Sequence, residues 1–293
     1  MSTSTRHNRK AAWIFSMAAS IAVFASTLHA DDAKRKNPTS KLYVADVEGL
    51  ASINTGDKIE DLNKRSVYTA EGVVLETTPK SSNSIVLSNG TGLSIDPDTR
   101  LEISRFLQEP FSPNRTDLEV EPSISQTSVF LPRGTVGLCT SKLIAGSTMT
   151  YSTRQGSVAI RGRKVVIEAK DDKTIISLLE GDVTVMGDML AGGQNLKPGQ
   201  QAIITRKSNT EPPVITIQPI PEADRSRLGD KVALACLARK TVYFETAERK
   251  NQSSSDGVFG QNDADGNPVI TAVPVLPGTL QPPTPISPYK VTP

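Results

Sequence analysis

Beyond residue 30 the chain has no histidine and no tryptophan: His7, His29 and the single Trp13 all lie in the opening stretch. Without imidazole it can assemble neither a Ser-His-Asp or Cys-His catalytic relay nor a histidine-containing zinc site. Aromatic residues make up only 4%, so the core has to come from Val, Ile and Leu. There are two cysteines, Cys139 and Cys236, and no CxxC pair. A phosphate-cradling Gly loop with a trailing Lys is missing, as is a GxSxG nucleophile elbow. The sequence carries no cofactor motif and reads as a non-enzyme.

The opening stretch has its own texture. Arg6, Arg9 and Lys10 precede the uncharged run AAWIFSMAASIAVFAST, and LHA follows before Asp31 and Asp32. A basic start, an apolar centre and a small residue at the cut predict a signal peptide over 1–30, cleaved after Ala30. The alternative is an uncleaved anchor, for which the run is marginal in length. No later stretch is apolar enough to span a bilayer, so no transmembrane span is expected after cleavage. Cleavage removes three of the 33 cations and no acid, leaving 30 against 31 Asp plus Glu. The near-neutral remainder lacks the electrostatic footprint of a nucleic-acid binder. An exported chain meets an oxidising compartment, which makes Cys139 and Cys236 candidates for a disulfide; two separately buried thiols are the alternative.

What is present is a succession of short β-like runs. Residues 31–40 are a polar leader. From 41 to 207, runs such as SIVLS, GLSID, RLEIS, TSVFL, SVAIR, KVVIEA, TIISLL and DVTVM are separated by turn signals. Asn89-Gly90, Gly134, Gly156, Asp171-Asp172, Gly181 and Pro198-Gly199 fall where turns are needed. Many short strands at close spacing predict an all-β sandwich or jelly roll. Its expected core is Ile85, Leu87, Leu93, Ile95, Leu101, Ile103, Val129, Leu131, Val166, Ile176, Leu178, Val183, Val185 and Ile203. Residues 208–250 read as a proline-broken linker and one amphipathic helix, about Ala223 to Arg239. Leu228, Val232, Ala235 and Leu237 would face the sheet, with Arg239 and Lys240 at the C-terminal end. Residues 251–293 are rich in Pro, Gly and Ser and read as a disordered tail.

Three local patterns invite chemistry. QNDADGNPVITA puts Asp263, Asp265 and Gly266 at calcium-loop spacing, but Gln261 and Ala272 stand where carboxylates are required, so no metal is expected. Asp96 and Asp98 could serve acid-base work, although a strand-connecting turn accounts for DPDT more simply. Arg161, Arg163 and Lys164 flank Gly162. They are a candidate partner-binding cluster for an anion or acidic partner, or else charges guarding a strand edge.

The order of the pieces is more telling than any one of them. VLSNGTGLSIDPDTRLEI, AIRGRKVVIE, LLEGDVTVMG and LKPGQQAII follow one another as in the FecR-domain family, which this chain resembles from Val47 to Thr205. Arg161-Gly162 stands for the RG of that family's VRGT segment, with Arg163 in place of its Thr. The resemblance implies a FecR-type β-domain working outside the cytoplasm. In the family's namesake that domain belongs to a regulator that passes a transport signal to a sigma factor. The expectation is a non-enzymatic binding or scaffold protein of the bacterial cell envelope, in the periplasm, with an envelope protein or glycan as partner. The alternative is a sensory component acting on a separate membrane regulator of an extracytoplasmic sigma factor.

Overall fold

The structure is a computed structural model that describes residues 40–111, 119–161, 163–187, 193–207, 211–246 and 270–275. The first half of the domain supplies β1 (Lys41–Glu48), β2 (Ala51–Asn54), β3 (Ile59–Asp61), β4 (Val67–Thr69) and β5 (Val74–Thr77). Next come β6 (Ser82–Leu87), β7 (Gly92–Ile95), β8 (Arg100–Gln108) and the long β9 (Ser125–Cys139). The second half supplies β10 (Thr148–Ser152), β11 (Ser157–Ile160), β12 (Lys164–Ala169) and β13 (Lys173–Glu180). It closes with β14 (Val183–Met186), β15 (Gln194–Leu196), β16 (Gln200–Thr205) and β17 (Val214–Pro219). Helix α1 (Glu222–Arg239) follows, and β18 (Val242–Thr246) pairs with β19 (Ile270–Pro274) as a separate ribbon.

These strands form two layers joined through one strand. The first layer runs β4-β1-β6-β7-β9-β12-β13-β16-β17 and the second β3-β2-β5-β8-β9-β10-β11-β14-β15. Residues 126–130 of β9 lie in the second layer, parallel to β10, and residues 134–139 lie in the first, beside β7 and β12. Inner faces of both layers meet in a single core that includes Ile53, Leu75, Ile85, Leu101, Val136, Ile167, Leu178 and Val185. This is the expected all-β sandwich.

The stretch 157–187 shows how the layers are connected. β12 and β13 form a hairpin closed by Lys170 N–H donating to the Lys173 carbonyl. β11 and β14 continue that hairpin in the second layer. At the corner, Arg161 N–H donates to the Asp182 carbonyl at 3.0 Å and Arg163 N–H to the Glu180 carbonyl at 3.1 Å. Gly181 sits there at φ +101°, a backbone region that side chains with a Cβ avoid. One long hairpin thus bends from layer to layer at Arg161 and at Glu180–Gly181.

Helix α1 covers the outer face of the first layer, which explains why KVVIEA does not alternate: β12 is buried on both sides. Val165, Ile167 and Ala169 join the inner core, while Val166 packs outward with Ile220, Leu228 and Val232. The helix begins one residue earlier than expected, at Glu222, after Pro221. Its buried positions are Leu228, Val232, Ala235 and Ala238. Leu237 is 61% exposed, a correction that follows from the helical period, which continues Leu228, Val232 and Ala235 through Ala238. Ile203 is likewise only half-buried, because Ala202 and Ile204 take the inward phase of β16. Within the stretch expected to be a disordered tail, Ile270–Pro274 is a strand, its ITAVP run pairing with VYFET of β18. The expected signal peptide over 1–30, the polar stretch before residue 40, most of the expected tail, and Asp263 and Asp265 lie outside the described residues.

The helix sits on a seat of small residues. Gly92 pairs with Cys139 and Ser94 with Gly137 across β7 and β9. A Cβ added at Gly137 would stand 2.6 Å from Ser94 Oγ and 2.9 Å from the Lys231 carbonyl oxygen; one at Gly92 would meet the Ala235 carbonyl oxygen. Ser94 Oγ instead donates to the Lys231 carbonyl at 2.8 Å. Arg227 clasps the buried Glu168 at 2.9 and 3.4 Å, and Lys231 pairs with Asp96.

Candidate functional site

Where α1 runs beside β12 and β13, a groove of about 640 Å³ remains open. One wall is a helical stripe of Gly229, Val232, Ala233, Cys236, Arg239 and Lys240. The other comprises Lys164, Leu179 and Glu180 from the bent hairpin, with Arg163 at its corner and Glu119, Cys139 and Thr140 closing the end. Gly229 borders open space: a Cβ there would meet nothing within 4 Å. Leu179 and Val232 make the groove surface partly apolar, while four cations and two carboxylates border it.

Ion pairs organise the rim. Arg163 contacts Glu119 at 2.6 Å and Glu180 at 3.8 Å, and Lys164 contacts Glu180 at 2.5 Å. The hydrogen bond from Lys164 holds the Glu180 carboxyl below its usual range; burial opposes this, and the charges of Lys164 and Arg163 add to the lowering. Arg239 reaches inward from the last helical turn. It donates to Ser141 Oγ at 2.7 Å and to the Thr140 carbonyl at 3.3 Å, and stands 3.5 Å from Cys139 Sγ. Burial pushes its guanidinium below the ordinary arginine range; Arg163 adds to the shift and Glu119 opposes it. Arginine nevertheless stays charged at neutral pH.

Cys139 and Cys236 are joined by a disulfide across the groove floor, with Cα atoms 5.1 Å apart. It ties the helix wall to β9, on the small-residue seat described above.

The sequence-selected residues separate in space. Arg163 and Lys164 enter the groove. Arg161 is exposed, does not line the groove, and makes no ion pair among the described residues; its backbone holds the corner. Asp96 and Asp98 do not form a catalytic pair: Asp96 is engaged by Lys231 of α1, whereas the exposed Asp98 faces Arg133 at 3.5 Å. Sequence reasoning missed Glu119, Leu179, Gly229 and Arg239 as neighbours of one site. For the helix wall a signal existed, since 229, 232, 236, 239 and 240 recur at helical spacing. No local pattern ties that stripe to β12 and β13.

Comparison with known proteins places this geometry. Residues 73–184 match the family model described as FecR protein, a stretch running from β5 into β14. The match is narrower than the resemblance from Val47 to Thr205. It contains the β wall of the groove and Cys139, but neither α1 nor Cys236. Among solved structures, two crystal structures of a candidate anti-sigma factor from Parabacteroides distasonis are similar, at 18% and 17% identity and a TM-score of 0.39 each. Each alignment covers 52% of this chain and 62% of the other, so the chain spans less than two thirds of their length. No curated protein matches the chain.

Proposed function

We propose that this chain, whose residues 73–184 form a FecR-type domain, is a non-enzymatic binding module in regulatory signalling at the bacterial cell envelope. The observation that carries this reading is the groove itself. Its β wall belongs to the FecR-type stretch, and a helix outside that stretch is bonded covalently to it. A shaped opening with an ionic rim and a partly apolar wall suits recognition of another molecule. Because Asp96 and Asp98 are engaged by separate cations, they support no acid-base role. A disulfide favours an oxidising compartment, in keeping with export directed by residues 1–30 and a mature chain starting at Asp31. The FecR match favours one particular setting for the partner: a membrane regulator of an extracytoplasmic sigma factor.

Expression of the full chain with an affinity tag at its C-terminal end tests both parts. Intact mass should give an N-terminus at Asp31 with both cysteines oxidised, and crosslinked capture from the envelope should return a membrane regulator. A chain that keeps its leader in the cytoplasmic fraction removes the export reading. Deletion of the gene with no change in sigma-factor-dependent transcripts removes the signalling one.

A further inference from the structure

A disulfide exchanges only where a thiolate can reach one of its sulfurs, and the two sulfurs of the Cys139–Cys236 bridge differ in reach and in surroundings. Both residues border the groove. Cys139, however, ends β9 between β7 and β12 and is 4% exposed. Cys236 is half-buried, on the helical stripe that walls the opening. A thiolate entering the groove therefore meets Cys236 first.

The surroundings also decide which sulfur departs, because exchange is faster when the leaving group is the better thiolate. Arg239 Nη1 stands 3.5 Å from Cys139 Sγ and donates to it. A guanidinium keeps its charge at neutral pH, and an adjacent arginine lowers the pKa of a thiol. The bonds from Arg239 to Ser141 Oγ and to the Thr140 carbonyl fix that guanidinium beside the sulfur. Cys236 belongs instead to the last turn of α1, where the partial negative charge of the helix end disfavours a thiolate. Access and leaving-group chemistry thus select the same direction of attack.

We propose that the bridge is a thiol-exchange site: a dithiol reductant attacks Cys236 Sγ from the groove, and Cys139 leaves as a thiolate held by Arg239. In the first step a bond forms between the reductant's sulfur and Cys236 Sγ while the Cys139–Cys236 bond breaks, its electron pair going to Cys139. In the second, the reductant's other thiolate attacks the reductant sulfur of the mixed disulfide, and Cys236 departs and takes a proton. The dithiol ends as a disulfide and both cysteines end reduced. The reverse sequence with an oxidised dithiol restores the bridge. The structural consequence is local. Arg227 on Glu168, Lys231 with Asp96, and Leu228 and Val232 packed beside Val166 still anchor the start of α1. Only the covalent tie between its last turn and β9 is lost, so the groove wall answers to the redox state around the protein, whatever the groove binds.

The full chain, purified with its bridge intact, is treated briefly with limiting glutathione in the absence of denaturant, quenched with acid, and its free thiols are alkylated. Peptide mass mapping should find glutathione on Cys236 and the alkyl group on Cys139. Glutathione on Cys139, or an even split, overturns the proposal. With dithiothreitol, the rate of reduction should rise in proportion to thiolate concentration, fall about tenfold in Arg239→Gln and largely recover in Arg239→Lys. Destabilisation alone would speed reduction, so a slower rate separates loss of the charge from loss of the fold. Equal rates in the three chains remove Arg239 from the reaction and sink the proposal as stated. Ile53→Val weakens the core from β2 in the other layer and should leave the rate unchanged. A rate that rises with the stability lost, or a bridge reduced only in denaturant, means that its sulfurs are reached by unfolding alone and overturns the exchange site.

Discussion

Gly137 has no side chain at the point where α1 comes down on the sheet. The Lys231 carbonyl oxygen would stand 2.9 Å from its Cβ, and helix backbone cannot turn aside as a side chain does. Gly137→Ala should therefore lift the helix and cost about 1–3 kcal/mol. The expected readout is a lower denaturant midpoint with an unchanged m-value; an unmoved midpoint would show that the helix does not press on this strand. Glu121 offers a different test. It is 4% exposed and accepts bonds from Ile144 N–H at 2.8 Å and Ser125 Oγ at 2.9 Å. Burial raises its pKa, and the hydrogen bonds from Ser147, Ile144 and Ser125 only partly oppose that. A carboxyl with a raised folded pKa leaves stability intact below its unfolded pKa and takes it away as pH rises through the folded value. Chemical denaturation between about pH 4 and pH 7 should show Glu121→Gln gaining on the parent chain as pH rises. A constant difference across that window would mean Glu121 does not titrate with folding. Neither residue was legible in the sequence: Gly137 reads as one glycine in a strand, and Glu121 as one acid among many.

At the level of elements, α1 and the bent hairpin were legible to different degrees. The proline break, the acidic first turn and the basic last turn mark the helix, and its start was missed by one residue because Glu222 follows directly on Pro221. Which face it buries was read correctly at Leu228, Val232 and Ala235 and wrongly at Leu237, where a hydrophobic residue lies off the stripe. The disulfide belongs to this scale because it fastens one element to another. It closes a separation of 97 residues, which in the chain-entropy account stabilises by up to about 4–5 kcal/mol. The double variant Cys139→Ser, Cys236→Ser should lose stability on that order. Hydrogen exchange should show the last turns of α1 losing protection first, since Arg227, Leu228 and Val232 still hold its beginning. Uniform loss of protection across the sheet would instead make the bridge a global staple. The hairpin's two runs and its Lys170–Lys173 turn could be read from alternation and charge. That Arg161 and Glu180–Gly181 form a corner between layers could not, because Ser157–Ile160 looks locally like any other strand.

Across the whole molecule, the alternating runs, the turn residues and the ordered pieces from Val86 to Ile204 were enough to determine an all-β sandwich and one helix after it. They were enough because strand periodicity and turn chemistry are local, and each needs only a few neighbouring residues to be expressed. Composition alone likewise ruled out histidine-dependent chemistry beyond residue 30. Tertiary structure decided the rest: that β9 belongs to both layers, that small residues on β7 and β9 form a seat for α1, and that Cys139 meets Cys236 there. It also decided which of the sequence's charges share a site. Arg163 and Lys164 meet Arg239 and Lys240 across a groove, whereas Arg161, two residues from Arg163, stays outside it. Those relations join residues as distant in the chain as Ser94 and Lys231, 137 positions apart, and only the register of the strands and the docking of the helix bring them together.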